Sequence, residues 1–236
     1  MIADVLDEYL TEKWRQENVA GNGWDKFRVH EAGKCPLNRY LKRLDPDKMI
    51  SPPTPALLRI FQIGHEIHNW IQQEAENTGH VPGLEGKYEV LGIESPVHDE
   101  HRTGHIDLVV SDEEGRVILI DIKTVNGRLM EKYRESPPKN YIHQVATYCD
   151  MWVCPVDDAY LLWVPKDTMA IELMPVDWRK HLPEVASEWE SLIECWTNRT
   201  EPEPVPSQYE CRSCPILLSC DLGRKSAEGE KANAGL

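Results

Sequence analysis

The chain has no apolar run approaching the roughly 18 residues that a membrane-spanning helix needs, so no membrane partner is expected. Its first residues, Met1-Ile2-Ala3-Asp4, carry neither the basic nor the apolar region of a secretory signal, and a cytoplasmic location is the expectation. Internal repeats are missing. Positive charge is scarce: 26 Lys and Arg stand against 40 Asp and Glu, a formal charge of −14. Such a field argues against a protein that coats nucleic acid with its whole surface. It leaves room for a locally basic groove beside carboxylates whose charge is offset by bound cations. What is present suffices for a sizeable core, because 236 residues at 41% hydrophobic content can form one domain with an appendage or two small domains.

Coarse patterning orders the chain. Residues 1–50 read as helical and end in the basic segment Cys35-Pro36-Leu37-Asn38-Arg39-Tyr40-Leu41-Lys42-Arg43. Ser51-Pro52-Pro53-Thr54-Pro55 breaks that pattern, and Ala56 to Glu76 reads as an amphipathic helix. Strands are expected at Lys87 to Ile93, at Pro96-Val97-His98, and in the two runs of a hairpin within 85–123. A loop with Pro137-Pro138 leads to a helix over Tyr141–Val153. Two strands follow, Ala159 to Val164 and Met169 to Leu173, and then a long helix, Trp178 to Asn198. Glu201-Pro202-Glu203-Pro204-Val205-Pro206 reads as a stiff linker, and the polar tail after Asp221 as disordered.

The hairpin carries the densest chemistry. Asp107 lies in the apolar run Ile106 to Val110, and Asp121-Ile122-Lys123 closes the run Val117 to Ile120. Ser111 to Gly115 between them is a turn signal. An antiparallel hairpin centred near Glu114 makes facing residues sum to 228, which sets Asp107 opposite Asp121. Opposed side chains have Cβ atoms roughly 4.5–5.5 Å apart, close enough for two carboxylates to grip one hard cation. Lys123, two residues beyond Asp121, falls on the same face. Two carboxylates and a lysine on one patch of sheet suit metal-dependent attack on a phosphodiester. Glu89, on the preceding strand, is a weaker candidate for a further acidic residue near the metal. Gly64-His65-Glu66-Ile67-His68 is one residue short of the H-E-x-x-H zinc motif, so that reading is set aside.

The chain has seven cysteines. In a cytoplasmic protein they are not a disulfide framework. Cys211, Cys214 and Cys220 form C-x2-C-x5-C, and a short loop can turn two sulfurs toward one metal centre. Cys35, also followed by proline, is the natural fourth ligand. Zinc and an iron–sulfur cluster both accept four thiolates, so spacing leaves the two open. Cys149, Cys154 and Cys195 sit in helical apolar patterns and read as small buried residues.

Asp107 with Asp121-Ile122-Lys123, followed by Gln144-Val145-Ala146-Thr147-Tyr148, resembles the PD-(D/E)xK nucleases of the RecB-like branch. Ile106 stands where the family name has proline, a position commonly relaxed in this branch. One N-terminal cysteine joined with C-x2-C-x5-C is similar to the iron–sulfur members, namely the CRISPR-associated adaptation exonucleases and AddB-type nuclease domains. The resemblance runs from about Cys35 to Cys220. It implies an α/β fold with a restriction-endonuclease-like core, a mixed central sheet flanked by helices, in which a 4Fe–4S cluster on Cys35, Cys211, Cys214 and Cys220 joins an N-terminal helical part to a C-terminal segment. The expected divisions are 1–80 for the helical part, 81–200 for the nuclease core, 201–220 for the cluster-binding segment and 221–236 for the tail.

The same resemblance carries the family's G-x3-H onto Gly64 and His68. It implies that His68, Asp107, Asp121 and the Ile122 carbonyl hold Mg²⁺ or Mn²⁺, with Lys123 handling the attacking water or the developing charge. Gln144 and Tyr148, four apart on one helix face, would contact the nucleic-acid backbone or fix the lysine. Arg128, Lys132, Arg134 and Lys139, with Arg39, Lys42 and Arg43, are the expected phosphate-tracking surface. The implied activity is exonucleolytic cleavage of DNA at single-stranded ends, with protein partners from an adaptation or recombination complex. Two alternatives are a non-catalytic scaffold subunit of such a complex and a zinc-stabilised nucleic-acid-binding module. The intact Asp107, Asp121 and Lys123 weigh against both.

Overall fold

Val117-Ile118-Leu119-Ile120 has no residue that prefers water, and the strand it forms is covered on both faces, as a strand inside a layered α/β sheet must be. The computed structural model describes residues 2–18, 25–49, 52–205, 207–212 and 214–225. Among these the helices are α1 (Ile2–Asn18), α2 (Pro36–Leu44), α3 (Pro46–Met49), α4 (Pro55–Thr78), α5 (Met130–Glu135), α6 (Lys139–Met151), α7 (Trp178–Thr197) and α8 (Gln208–Cys211). The strands are β1 (Phe27–Arg28), β2 (Glu89–His98), β3 (Arg102–Ser111), β4 (Val117–Val125), β5 (Asp158–Pro165) and β6 (Glu172–Pro175). The expectation of continuous helix over 1–50 is therefore too simple: β1 and a 3-10 turn, Val29–Glu31, interrupt it. Residues 221–225 are helical, while 226–236 of the expected tail lie outside the described residues.

The chain divides into two units. One comprises Arg28–Ala32 and Thr54–Ala186; the other takes Met1–Phe27, Gly33–Pro53 and Ser187–Leu236. These boundaries differ from the expected ones in that α4 belongs with the sheet and the second half of α7 belongs with the N-terminal helices.

In the sheet unit, β3 pairs antiparallel with β2 and with β4, β4 pairs parallel with β5, and β6 closes antiparallel on β5. The parallel pair is joined through α6, because parallel neighbours need a crossover long enough to return the chain to the same end. Alternate residues of β3 and β4 feed two apolar layers. Val109 and Leu119 pack with Val145 and Tyr148 of α6. Leu108, Val110, Ile118, Ile120 and Ile122 pack with Ile67, Ile71 and Ala75 of α4. Fully burying one such side chain contributes about 1.5–3 kcal/mol, so these layers dominate the unit's stability. The sheet is thus mixed and flanked by helices, as expected.

Local chemistry sets where α4 begins and stops. Thr54 caps it, its hydroxyl accepting from the Leu57 N–H at 3.4 Å, and Pro55 sits in the first turn where its missing N–H costs nothing. Gly79 ends it in the left-handed region, φ 70°, which glycine adopts without strain.

The other unit is built on aromatic rings. Phe27 lies 6.3 Å from Trp189 and 5.9 Å from Trp196, and Tyr40 lies 5.5 Å from Trp196, centroid to centroid. The buried Arg39 stacks over Trp189 and pairs with Glu188, whose Oε1 also accepts from the Gly33 N–H at 2.9 Å.

Candidate active site

β3 and β4 pair in the register that sums to 228, through Ser111↔Val117, Val110↔Ile118, Val109↔Leu119 and Leu108↔Ile120. The ladder stops one position short of Asp107 and Asp121. There the Asp107 carboxylate reaches across and accepts the Ile122 N–H at 2.6 Å, so a side chain stands in for the main-chain partner the strand no longer offers. Splayed strand ends of this kind open a gap between two carboxylates.

Around that gap the sheet unit assembles residues from five elements. His68, from α4, places Nδ1 3.6 Å from Asp107 Oδ1. Its approach depends on Gly64 one turn earlier, where a Cβ would sit 3.0 Å from Thr124 Oγ1 of β4. Gln72, one turn after His68, donates to the Asp107 carbonyl and to Glu94 Oε1, both at 2.9 Å. Ligand atoms of His68, Glu94 and Asp107 all lie within 4.8 Å of one another, the spacing of groups that could share one cation.

Glu94 is the residue that the strand pattern misassigned. Glu89 pairs with Ser111, five residues up β2 and far along β3 from Asp107. The register then slips by one between Val90 and Gly92, so Ile93↔Leu108 and Ser95↔Ile106 bracket Glu94 level with Asp107. Without that bulge Ile93 would stand there. Glu94 has φ 44°, a strained value for a non-glycine residue of the sort that concentrates at functional sites. The one sequence signal was Gly92, since an isolated glycine in a strand pattern marks a bulge.

The second half of the site is an ion-pair network on the face that α6 covers. Lys123 Nζ lies 2.6 Å from Asp121 Oδ2 and donates to Gln144 Oε1 at 3.1 Å, while the Gln144 amide donates back to Asp121 Oδ1 at 3.1 Å. Gln144 thereby orients both charged groups at once. Tyr148 OH is 3.5 Å from Gln144 Nε2, and the Tyr141 ring lies under Lys123 at 5.0 Å. Gly104 makes room for Tyr148, because a Cβ there would meet the ring at 2.8 Å and Val29 at 3.0 Å.

Burial pushes the Asp121 carboxyl up to about 6, Lys123 pulls it back, and the neighbouring Asp107 adds to the rise. Burial alone would lower the Lys123 ammonium, yet Asp121 and Asp107 together hold it above the usual lysine value. Each group's charged form is thus favoured by the other. Tyr148 is held well above the usual phenol range, chiefly by burial, and so stays neutral. Cations brought into the gap would relieve the crowding of negative charge, which is the arrangement metal-assisted chemistry needs.

Cys35, Cys211, Cys214 and Cys220 all belong to the other unit and line one cavity with Asn38, Glu210 and Gly223. Asn38 Nδ2 donates to Cys214 Sγ at 3.3 Å, and the Gly223 N–H donates to Cys220 Sγ at 3.3 Å. Burial and the neighbouring thiols hold Cys211 above the usual cysteine value, so a cation among them would favour the thiolates. Cys149 is buried and Cys195 half-buried, but Cys154 is exposed past the end of α6 at Met151, outside the helical pattern expected for it.

The expected basic surface holds only in part. Arg128 and Lys132 are exposed. Arg134 pairs with Glu172, and Lys139 with Glu184 at 2.7 Å. Arg39 is buried against Trp189, and Arg43 stacks over Trp196 at 4.1 Å and Phe27 at 4.5 Å. These two arginines, separated by four on one helix face, pack into the aromatic core of that unit.

Two solved structures share this architecture. That of SSO0001 superposes with a TM-score of 0.57 at 14% identity, covering 94% of this chain and 97% of that one. An alkaline exonuclease from Laribacter hongkongensis gives 0.50 at 15% identity, covering 80% and 94%. No curated protein sequence matches significantly. The profile of the PD-(D/E)XK nuclease superfamily matches residues 3–221, nearly the whole chain, and includes the splayed carboxylates and the lysine. This chain belongs to the PD-(D/E)XK nuclease superfamily.

Proposed function

We propose that this protein is a metal-dependent DNA exonuclease of the RecB-like branch that acts on single-stranded ends. The observation that carries the reading is the juxtaposition of Asp107, Asp121 and Lys123 at a splayed strand end, with Lys123 held by Asp121 and Gln144. Carboxylate oxygens suit Mg²⁺ or Mn²⁺, and His68, Glu94 and Asp107, with Asp121 alongside and the Ile122 carbonyl as a further donor, are the residues to hold the ion. A divalent cation there supplies charge against the anionic transition state and acidifies water.

The protein's own groups do the rest. Lys123 presents a fixed ammonium toward the reacting phosphate, and Gln144 keeps it from swinging away. Tyr148, neutral and anchored beside Gln144, offers a hydroxyl to the substrate backbone. Arg128 and Lys132 supply exposed positive charge for the strand. In the other unit, the four cysteines that line one cavity support a 4Fe–4S cluster with a structural role. The same resemblance favours partners from a DNA adaptation or recombination complex.

The deciding experiment incubates anaerobically purified protein with end-labelled single- and double-stranded DNA, with and without Mn²⁺. Progressive loss of the single-stranded label only with metal supports the reading. Metal-independent cleavage, or none from the parent protein, refutes it.

A further inference from the structure

Next to Gln144 on α6, His143 is a buried histidine that the cleavage site does not use. Its Nε2 lies 3.4 Å from Glu184 Oε2 on α7. His181 precedes Glu184 by three residues, so both lie on one face of α7. The two imidazole rings are 6.4 Å apart between centroids, at 50°. Ligand atoms of all three side chains fall within 4.8 Å of one another. All three residues belong to the sheet unit.

We propose that His143, His181 and Glu184 form a zinc site that staples α6 to the start of α7. Two imidazoles and one carboxylate are a donor set zinc takes readily, with water in the fourth position. The spacing agrees. Ligands about 2.0–2.1 Å from one tetrahedral ion stand roughly 3.3–3.4 Å apart, and His143 Nε2 to Glu184 Oε2 is 3.4 Å. His181 is partly exposed, and its ligand nitrogen lies within 4.8 Å of the ligand atoms of His143 and Glu184, so binding would draw it inward. Lys139 Nζ, 2.7 Å from Glu184 Oε1, occupies the other carboxylate oxygen and orients Oε2 toward the histidines. The site is separate from His68, Glu94 and Asp107, which come from α4, β2 and β3. Its effect reaches the cleavage site through the backbone: fixing His143 fixes the turn of α6 that carries Gln144.

The test uses the full chain equilibrated with chelator-buffered zinc. Bound zinc per chain is counted by atomic emission in the parent, His181→Ala and Glu184→Gln proteins. These positions are exposed or partly exposed, so the variants keep the fold. Each variant should hold one zinc fewer than the parent and show a smaller zinc-dependent rise in thermal midpoint than the parent does. Taking the difference between proteins removes any zinc captured by the cysteines or the cleavage site. Equal zinc in the parent and both variants, or a parent with no zinc-dependent shift, would overturn the site and leave a histidine–carboxylate ion pair only.

Discussion

Asp121 and Lys123 share so little contact with water that neither charge is tolerable without the other, and both lean on Gln144. Groups acting as one unit fail together. Asp121→Asn and Lys123→Ala should therefore each lower the cleavage rate by at least roughly 10²–10³-fold, the cost of one preorganised electrostatic partner, measured as single-turnover rates on labelled DNA. Glu94 and Glu89 make a sharper pair, since they are five residues apart on one strand and only Glu94 reaches His68 and Asp107. Glu94→Gln should raise the Mn²⁺ concentration needed for half-maximal cleavage, while Glu89→Gln should leave it unchanged. A metal titration reads both, and equal effects would return the assignment to strand charge in general.

At the scale of elements, two glycines decide whether helices can approach the sheet. Gly104→Ala drives a methyl into the Tyr148 ring and Val29, so it should destabilise by about 1–3 kcal/mol, the usual cost of overpacking. Denaturant unfolding measures that loss. Gly64→Val pushes α4 off Thr124 and lifts His68 away from Asp107, so its metal requirement should rise along with its instability. On α6, Gln144→Ala and Tyr148→Ala should reduce cleavage less than loss of Asp121, because they misplace the reacting groups without removing them. Full activity in the double variant would reduce the pair to helix packing.

For the molecule as a whole, the unit that holds the cysteines is fastened by Arg39 and Glu188 and by the arginine–aromatic stacks. Removing one partner of a buried pair typically costs about 3–5 kcal/mol. Arg39→Ala should show that loss in equilibrium unfolding, with the salt dependence of DNA binding unchanged, whereas Lys132→Ala should flatten the salt dependence and spare stability. The proposed cluster has its own signature: a brown protein with about four iron atoms per chain, bleached by oxygen. Cys35→Ala should lose iron as completely as Cys214→Ala, since all four ligands close the site. Loss of the cluster should lower stability and solubility first and cleavage as a consequence. Colourless protein holding zinc at the cysteines would replace the cluster and leave the nuclease assignment standing.

The hairpin register was legible in the sequence because two apolar runs and one turn admit few pairings, and a side-chain period of two then fixes the face of Asp107, Asp121 and Lys123. The spacing of Gln144 and Tyr148 and the close array of Cys211, Cys214 and Cys220 were legible for the same reason, since each depends on local geometry within one element or loop, whereas Cys35 joins that array only through the fold. Glu94 was not. A one-residue bulge in β2 exchanged Ile93 for Glu94 opposite Asp107, and bulges answer to the packing of neighbouring strands more than to the residues that bulge. Arg39 and Arg43 read as a basic surface, because a one-dimensional pattern cannot say that Trp189, Trp196 and Glu188, some 150 residues on, fold over them. Period and turn chemistry act between neighbours in the chain and are written there, whereas burial is decided by residues distant in sequence. Only the tertiary structure could separate the charges gathered at the candidate site from those that build a core.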